Sequence, residues 1–335
     1  MVNGRKRVRI AIGVVLLVAI TVGVLWAVRS EWKRSLYEQM YGRIKDRIEN
    51  ISADQFVQGF AFQEKTEQLD IYLNNQLIAA YCYASHYPKP YIAPLCTPSG
   101  LVLTRPVDEH NVKDHPHHQG LFLAYGKVNN LDFWGNRGQT FQIRHVQFID
   151  KSISQDGLTI DIALEWINAQ GQAILQEQRT LLFTAFEGGY KIHFRSCLKA
   201  CSEVMLGDTK EGFLAIRVAD WFREKGGCGL FYSSTGKQGA AAIWGTREEW
   251  VCLVGYQDHK QIGLAIRNDP ASCHYPAYWH VRDYGLFAAN PLGQLEFQTA
   301  RKAHNPVSRT ISLNPGQQTA FIFDIMVYEH DFPDQ

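Results

Sequence analysis

The run LTIDIALEWI, residues 158–167, puts Leu158, Ile160, Ile162, Leu164 and Trp166 on alternate positions, with Thr159, Asp161 and Glu165 between them. Successive side chains of a strand point to opposite faces, so this pattern predicts a strand with one face in a core. The same alternation returns in Tyr190, Ile192 and Phe194 against Lys191, His193 and Arg195. In the last segment Phe321, Phe323, Ile325 and Val327 alternate with Ile322, Asp324 and Tyr328, which predicts a closing strand packed on both sides. Turn-forming clusters, QDG, NAQG, FEGG, REKGG and LNPG, separate such runs. Many short strands punctuated in this way predict an all-β fold, a large antiparallel β-sandwich, and no long linker divides residues 59–335.

The chain has 335 residues, 46% of them hydrophobic and 20% charged, with a formal net charge of +1. That balance suits a protein with a sizeable core and argues against a nucleic-acid partner, which would call for a strongly basic surface. Ahead of the strands the periodicity changes. Residues 10–28 carry no charge and are almost long enough to cross a ~30 Å hydrocarbon layer. Residues 1–9 hold Arg5, Lys6, Arg7 and Arg9, a basic flank that predicts a cytoplasmic N-terminus. The expectation is a single-pass, uncleaved anchor in a bacterial cytoplasmic membrane, with the lipid bilayer as partner and the main domain outside. Over 29–58, Trp32, Leu36, Met40, Ile44 and Ile48 recur every four residues, predicting an amphipathic helical stalk that either packs on the domain or forms a homodimer.

Two short segments concentrate chemistry. HPHHQG, residues 115–120, supplies His115, His117 and His118; YWHVRDYG, residues 278–285, supplies Trp279, His280 and Arg282. Pro116 biases its predecessor towards an extended backbone, which predicts that His115 and His117 share one side and His118 takes the other. The sequence after the first cluster brings Asn129, Asp132 and Trp134; GDTKEGFLAIRVAD brings Lys210, Glu211 and Arg217; Asn290 follows the second cluster. Amides, carboxylates and flat aromatic rings together hold sugars well, since hydroxyls take polar partners and C–H faces take an aromatic platform. The reading is one pocket in which His115, His117, His118, Glu211, His280 and Arg282 are catalytic, while Asn129, Asp132, Trp134, Lys210, Arg217, Trp279 and Asn290 bind a carbohydrate. A glycan-binding module without catalysis is the alternative. A metal-dependent enzyme is another, taking a third ligand from Glu211, His280 or Asp132, although the spacing does not mark a metal site and no cofactor is expected.

Phosphate-loop, dinucleotide, serine-hydrolase and zincin motifs are absent from the sequence. Seven cysteines without paired CxxC spacing read as single buried thiols.

Four blocks, KPYIAPLCTPSGLVLTRP, DHPHHQGLFLAYGKVNNLDFWG, GDTKEGFLAIRVAD and YWHVRDYGLFAANPLG, resemble the signatures of the bacterial PmoA-like family, catalogued as methane oxygenase PmoA. The resemblance covers most of residues 70–330 and implies a domain of unassigned biochemistry met in carbohydrate-rich settings, with Gln119 where arginine is commoner. By analogy the expected sandwich resembles the supersandwich of galactose mutarotase-like proteins, where a concave sheet face binds sugar and histidine and glutamate act as acid and base. On that analogy His117 or His280 would protonate a ring oxygen, Glu211 would remove a hydroxyl proton, and Arg282 would orient a hydroxyl or carboxylate. General acid–base help of this type contributes about 10² to 10⁴-fold, suited to isomerase or lyase chemistry.

Overall fold

The computed structural model describes residues 30–50, 56–57, 59–107, 114–135 and 141–331. These form two large antiparallel sheets with the main core between them. The first runs in the order Leu230–Ser233, Trp250–Gln257, Lys260–Asn268, Gln318–Asp331, Gly189–Ala200, Ala173–Phe186, Gly157–Ile167 and Gln142–Ser154, with Phe56–Val57 pairing to Ala173–Phe186. The second runs Tyr278–Val281, Leu286–Asn290, Gly212–Arg217, Leu121–Tyr125, Tyr91–Leu95, Gln76–Cys82, Gln68–Leu73 and Phe60–Lys65. Leu158, Ile160, Ile162, Leu164 and Trp166 are all buried, as the alternation requires, and Tyr190, Ile192 and Phe194 continue the same layer on the third strand along. Phe231 meets Phe287 across the sheets at 5.5 Å, and Phe213 meets Phe321 at 4.1 Å. All seven cysteines are free.

The closing strand is packed on both sides because helix 30–50 covers its outer face. Leu36, Met40, Ile44 and Ile48 are buried against Trp250, Cys252, Ala265, Met326 and Tyr328 of the first sheet. Gly263 makes the close approach possible: a Cβ there would lie 2.7 Å from Ile44 Cδ1. Tyr41 donates to Ser233 O at 3.3 Å, and Arg43 donates to Gln261 at 3.0 Å. The amphipathic stripe is therefore packed on the domain, the first of the two alternatives the sequence left open, and a homodimer through the stalk has no support. Of the periodic residues only Trp32 stays out, 48% exposed. Ile44→Ala should cost roughly 2–4 kcal/mol by the cavity it leaves and should raise hydrogen exchange across helix 30–50 first. Exchange as slow as in the parent protein would contradict this docking.

The single-pass membrane localisation does not carry over either. Among the described residues no helix is long and apolar enough to cross a membrane, and the run 10–28 on which that expectation and its bilayer partner rest lies outside the described residues.

Candidate functional site

Residues opposite one another in an antiparallel sheet share a face. The registers Phe122↔Ala215, Ala215↔Ala288 and Ala288↔His280 therefore set these four residues in one row across the second sheet. Phe287 points into the core, so its neighbour Ala288 and the whole row point away from the first sheet. The two alanines keep the middle of this outward face low between Phe122 and His280. Above it opens a cavity of about 770 Å³, lined by His115, His117, His118, Asp132, Trp134, Glu211, His280, Arg282 and Tyr284, with Asn130, Leu131, Gly135 and Phe141 completing it.

The three imidazoles enter on a turn, not on an extended segment. His115 has φ 47°, and His118 N–H donates to His115 O at 3.0 Å. Local preference before proline is overridden by tertiary bonds: the Arg105 guanidinium donates to the carbonyls of Asp114, His115 and His118 at 2.8, 2.9 and 3.0 Å. The turn gathers all three rings on one side. His115 lies parallel to both Tyr284, at 4.9 Å, and His118, at 5.0 Å, and these two rings are 6.5 Å from each other, while His117 meets His118 edge-on at 4.2 Å. Asp114 accepts from His115 Nδ1–H and from Arg217 Nη2–H, the latter at 2.7 Å. A carboxylate on Nδ1 fixes the tautomer and turns Nε2 outward from the pair. Burial works to raise the Asp114 carboxyl, yet the hydrogen bonds from Arg217 and His115 outweigh it and hold it below its ordinary value.

On the far wall His280 has both ring nitrogens committed. A carbonyl can only accept, so Nδ1–H donates to Lys210 O at 3.1 Å, and Nε2 accepts from Arg282 Nε–H at 3.1 Å. Burial, with the Arg282 charge beside it, pushes this imidazole down to about 3, so it stays neutral. Arg282 lies over the Trp244 ring at 5.3 Å. Glu211 is ion-paired to Lys210 at 3.2 Å, and Lys210 also reaches Glu296 at 3.5 Å. Gly126 leaves space for the acids: a Cβ there would stand 2.8 Å from Glu211 Cβ and 3.4 Å from Asp132 Oδ1.

The floor under the imidazoles carries unmatched polar atoms. Among the described residues, His118, 3% exposed, has no hydrogen-bond partner on either ring nitrogen, and Trp134, 1% exposed, has none on Nε1. Burial and the neighbouring His117 and His115 hold His118 far below the ordinary imidazole range. Behind them lies Lys89, fully buried, donating to Trp134 O at 2.9 Å and lying over Phe122 at 5.0 Å. Burial pushes its ammonium down to about 7 against the pull of Asp132.

The cavity thus brings together His115, His117, His118, Glu211, His280 and Arg282, and with them Asp132 and Trp134. Five residues read as substrate-binding do not line it. Asn129 and Asn130 have φ 48° and 66° in the hairpin closed by Val128 and Leu131, a turn that favours asparagine, and Asn129 ties that turn to Met205 and Glu203. Trp279 is core and donates to Glu248 O at 2.9 Å, while Asn290 is buried on Thr209 O and Leu292 N. Lys210 stands behind Glu211, and Arg217 is buried beneath Tyr284 at 4.6 Å. Sequence reasoning missed Asp114, Arg105, Tyr284 and Lys89. Asp114 adjoins the first quoted cluster and Tyr284 lies within the second, so both were open to view, whereas Arg105 and Lys89 act on backbone carbonyls, which no spacing reveals. Among the described residues no group of three His, Cys, Asp or Glu side chains is arranged to hold a metal ion.

No curated protein matches this sequence. Among solved structures, an α-galactosidase of group GH36, AgaB from Geobacillus stearothermophilus, is 10% identical with a TM-score of 0.44, covering 82% of this chain and 41% of that one. A galactose mutarotase related enzyme from Lactobacillus acidophilus is 8% identical with a TM-score of 0.36 over 82% of this chain and 99% of that one. The heparan sulfate lyase HepC from Pedobacter heparinus is 11% identical with a TM-score of 0.29, covering 80% and 31%. This chain spans less than half the length of the galactosidase, and with TM-scores below 0.5 none of the three bears on activity. The sequence profile that matches, over residues 68–335, is that of a family of unknown function, DUF6807. This corrects the resemblance to the PmoA-like family: this chain belongs to the family of unknown function DUF6807.

Proposed function

We propose that the cavity binds a carbohydrate and that its imidazoles and carboxylates carry out general acid–base chemistry on it, of the isomerase or lyase kind. The observation that carries this reading is the convergence of imidazole, carboxylate, guanidinium and aromatic side chains from three separate stretches of sequence on one cavity of about 770 Å³. Small-molecule sites commonly measure about 300–1,000 Å³ and combine apolar walls with a few convergent polar groups. Trp134, Tyr284 and Phe141 supply flat apolar surface, and Asp132 with Glu211 supplies acceptors for hydroxyl groups.

Within this proposal the proton carrier is His115, whose Nδ1–H is held by Asp114, and Glu211 is the opposing base. His280 positions Arg282, because neither of its nitrogens is left to move a proton. His118 is too deeply neutral to act as an acid. The finer fold reading, a mutarotase-like supersandwich occupying 59–335, belongs to the same proposal; two large antiparallel sheets with the cavity on an outward face support it.

A panel of reducing sugars and uronate-containing oligosaccharides, followed by NMR for exchange or cleavage, tests the reading. His115→Ala and Glu211→Gln should each lower turnover about 10² to 10⁴-fold with an unchanged melting temperature. Sugar binding without turnover in the parent protein would leave a binding module, and absence of both binding and turnover would remove the carbohydrate reading.

A further inference from the structure

The charges lining the cavity are unevenly matched. Glu211 has Lys210 at 3.2 Å, and Asp132 accepts from Gly135 N–H at 2.8 Å. The acid of the imidazole turn, Asp114, is shared by His115 and Arg217. Among the described residues Arg282 has no carboxylate partner and a single hydrogen bond, from Nε–H to a ring nitrogen of His280 at 3.1 Å. A neutral acceptor orients a guanidinium without cancelling its charge. Trp244 covers one face of the group at 5.3 Å, so the remaining direction for recognition lies in the guanidinium plane, through the two terminal amino groups. That fork fits a carboxylate through two parallel bonds. Across the cavity the unmatched atoms are Trp134 Nε1–H, which only donates, and His118, which as a neutral ring donates once and accepts once. Neither offers a charge, and both suit hydroxyls.

We infer that the ligand is an acidic sugar, a uronate, whose carboxylate lies on Arg282 and whose ring hydroxyls take up the unmatched atoms of His118 and Trp134. This rests on the carbohydrate reading and adds the charge of the substrate to it. The alternative disposition, a neutral sugar, would leave the guanidinium with hydroxyl acceptors alone and give up the charge-assisted pair.

Calorimetric titration of the full chain with matched methyl glycosides, glucuronate against glucose and galacturonate against galactose, tests the inference. The acid of a matched pair should bind roughly 10- to 100-fold more tightly than its neutral counterpart, the range expected of a charge-assisted two-point contact. Arg282→Gln should erase that preference, bringing the acid of each pair to the affinity of its neutral counterpart in the same variant, and Arg282→Lys, which keeps the charge and loses the fork, should retain only part of it. Melting temperatures of both variants guard against misfolding. Equal binding of acid and neutral sugars by the parent protein, or a preference that survives Arg282→Gln, would overturn the acidic substrate and leave the carbohydrate site standing. Failure of every sugar in the panel to bind would overturn both.

Discussion

Lowering the pH from 7 to 4.5 should remove about 5 kcal/mol of stability through His118 and His280 alone, at about 1.4 kcal/mol per unit over roughly two units for each ring. Both are buried, and burial is the first cause of the low proton affinity of each. The sign follows from proton counts. Below pH about 6.5 the unfolded chain protonates these imidazoles, while the folded chain keeps His280 neutral until about 3 and His118 neutral beyond that. The unfolded state thus binds more protons throughout the window, and stability falls as pH falls. Domains carry only about 5–15 kcal/mol in total, so this loss is enough to bring unfolding into mild acid. Urea unfolding at intervals between pH 7.5 and 4.5 measures it. His118→Phe, which keeps a flat ring in the stack with His115, should remove about half of the slope. A stability curve level across that window would mean that the two rings are solvated or paired in solution.

The strands were legible because their alternation is a local property: Leu158 to Trp166 needs nothing beyond its own spacing to declare a buried face. The row Phe122, Ala215, Ala288, His280 was not, since register between strands distant in sequence depends on pairings that no single segment specifies. The convergence of the histidine cluster with the second segment on one cavity was legible, and the shape of the cluster was misjudged. The restriction before proline predicts extension, whereas three carbonyl bonds from Arg105 stabilise the left-handed His115. Asn129 shows the converse. Adjacent asparagines between apolar residues are a turn signal, and the aromatic neighbourhood invited a ligand-binding reading instead. Trp279 and Asn290 share their composition with the residues that line the cavity, and what separates them is that their polar atoms are taken up inside the fold by Glu248 O, Thr209 O and Leu292 N. The apolar stripe of helix 30–50 was plain in sequence, but a stripe does not name the surface that covers it.

Arg217→Met should leave the protein as stable or up to about 1–3 kcal/mol more stable, and should disable the site. Arg217 is 1% exposed, and among the described residues only Nη2 of its guanidinium nitrogens has a partner, while Nε and Nη1 have none. Removing such a cation from water costs several kcal/mol, and a pair with one good bond rarely recovers it. The neighbouring Arg105 adds like-charge repulsion. Its partner Asp114 has a side chain 55% exposed, so deleting the arginine strands no buried carboxylate. Methionine fills a similar length and keeps contact with Tyr284. What the guanidinium does is hold Asp114 against the imidazole turn, and through it fix the tautomer of His115. Proteins commonly give up stability at functional sites in this way. Chemical denaturation, sugar binding and the ring nitrogen resonances of His115 read the three consequences separately. Stability lowered by several kcal/mol would show that Arg217 is there to hold the sheet together; a normal His115 tautomer in the variant would show that Asp114 needs no such anchor.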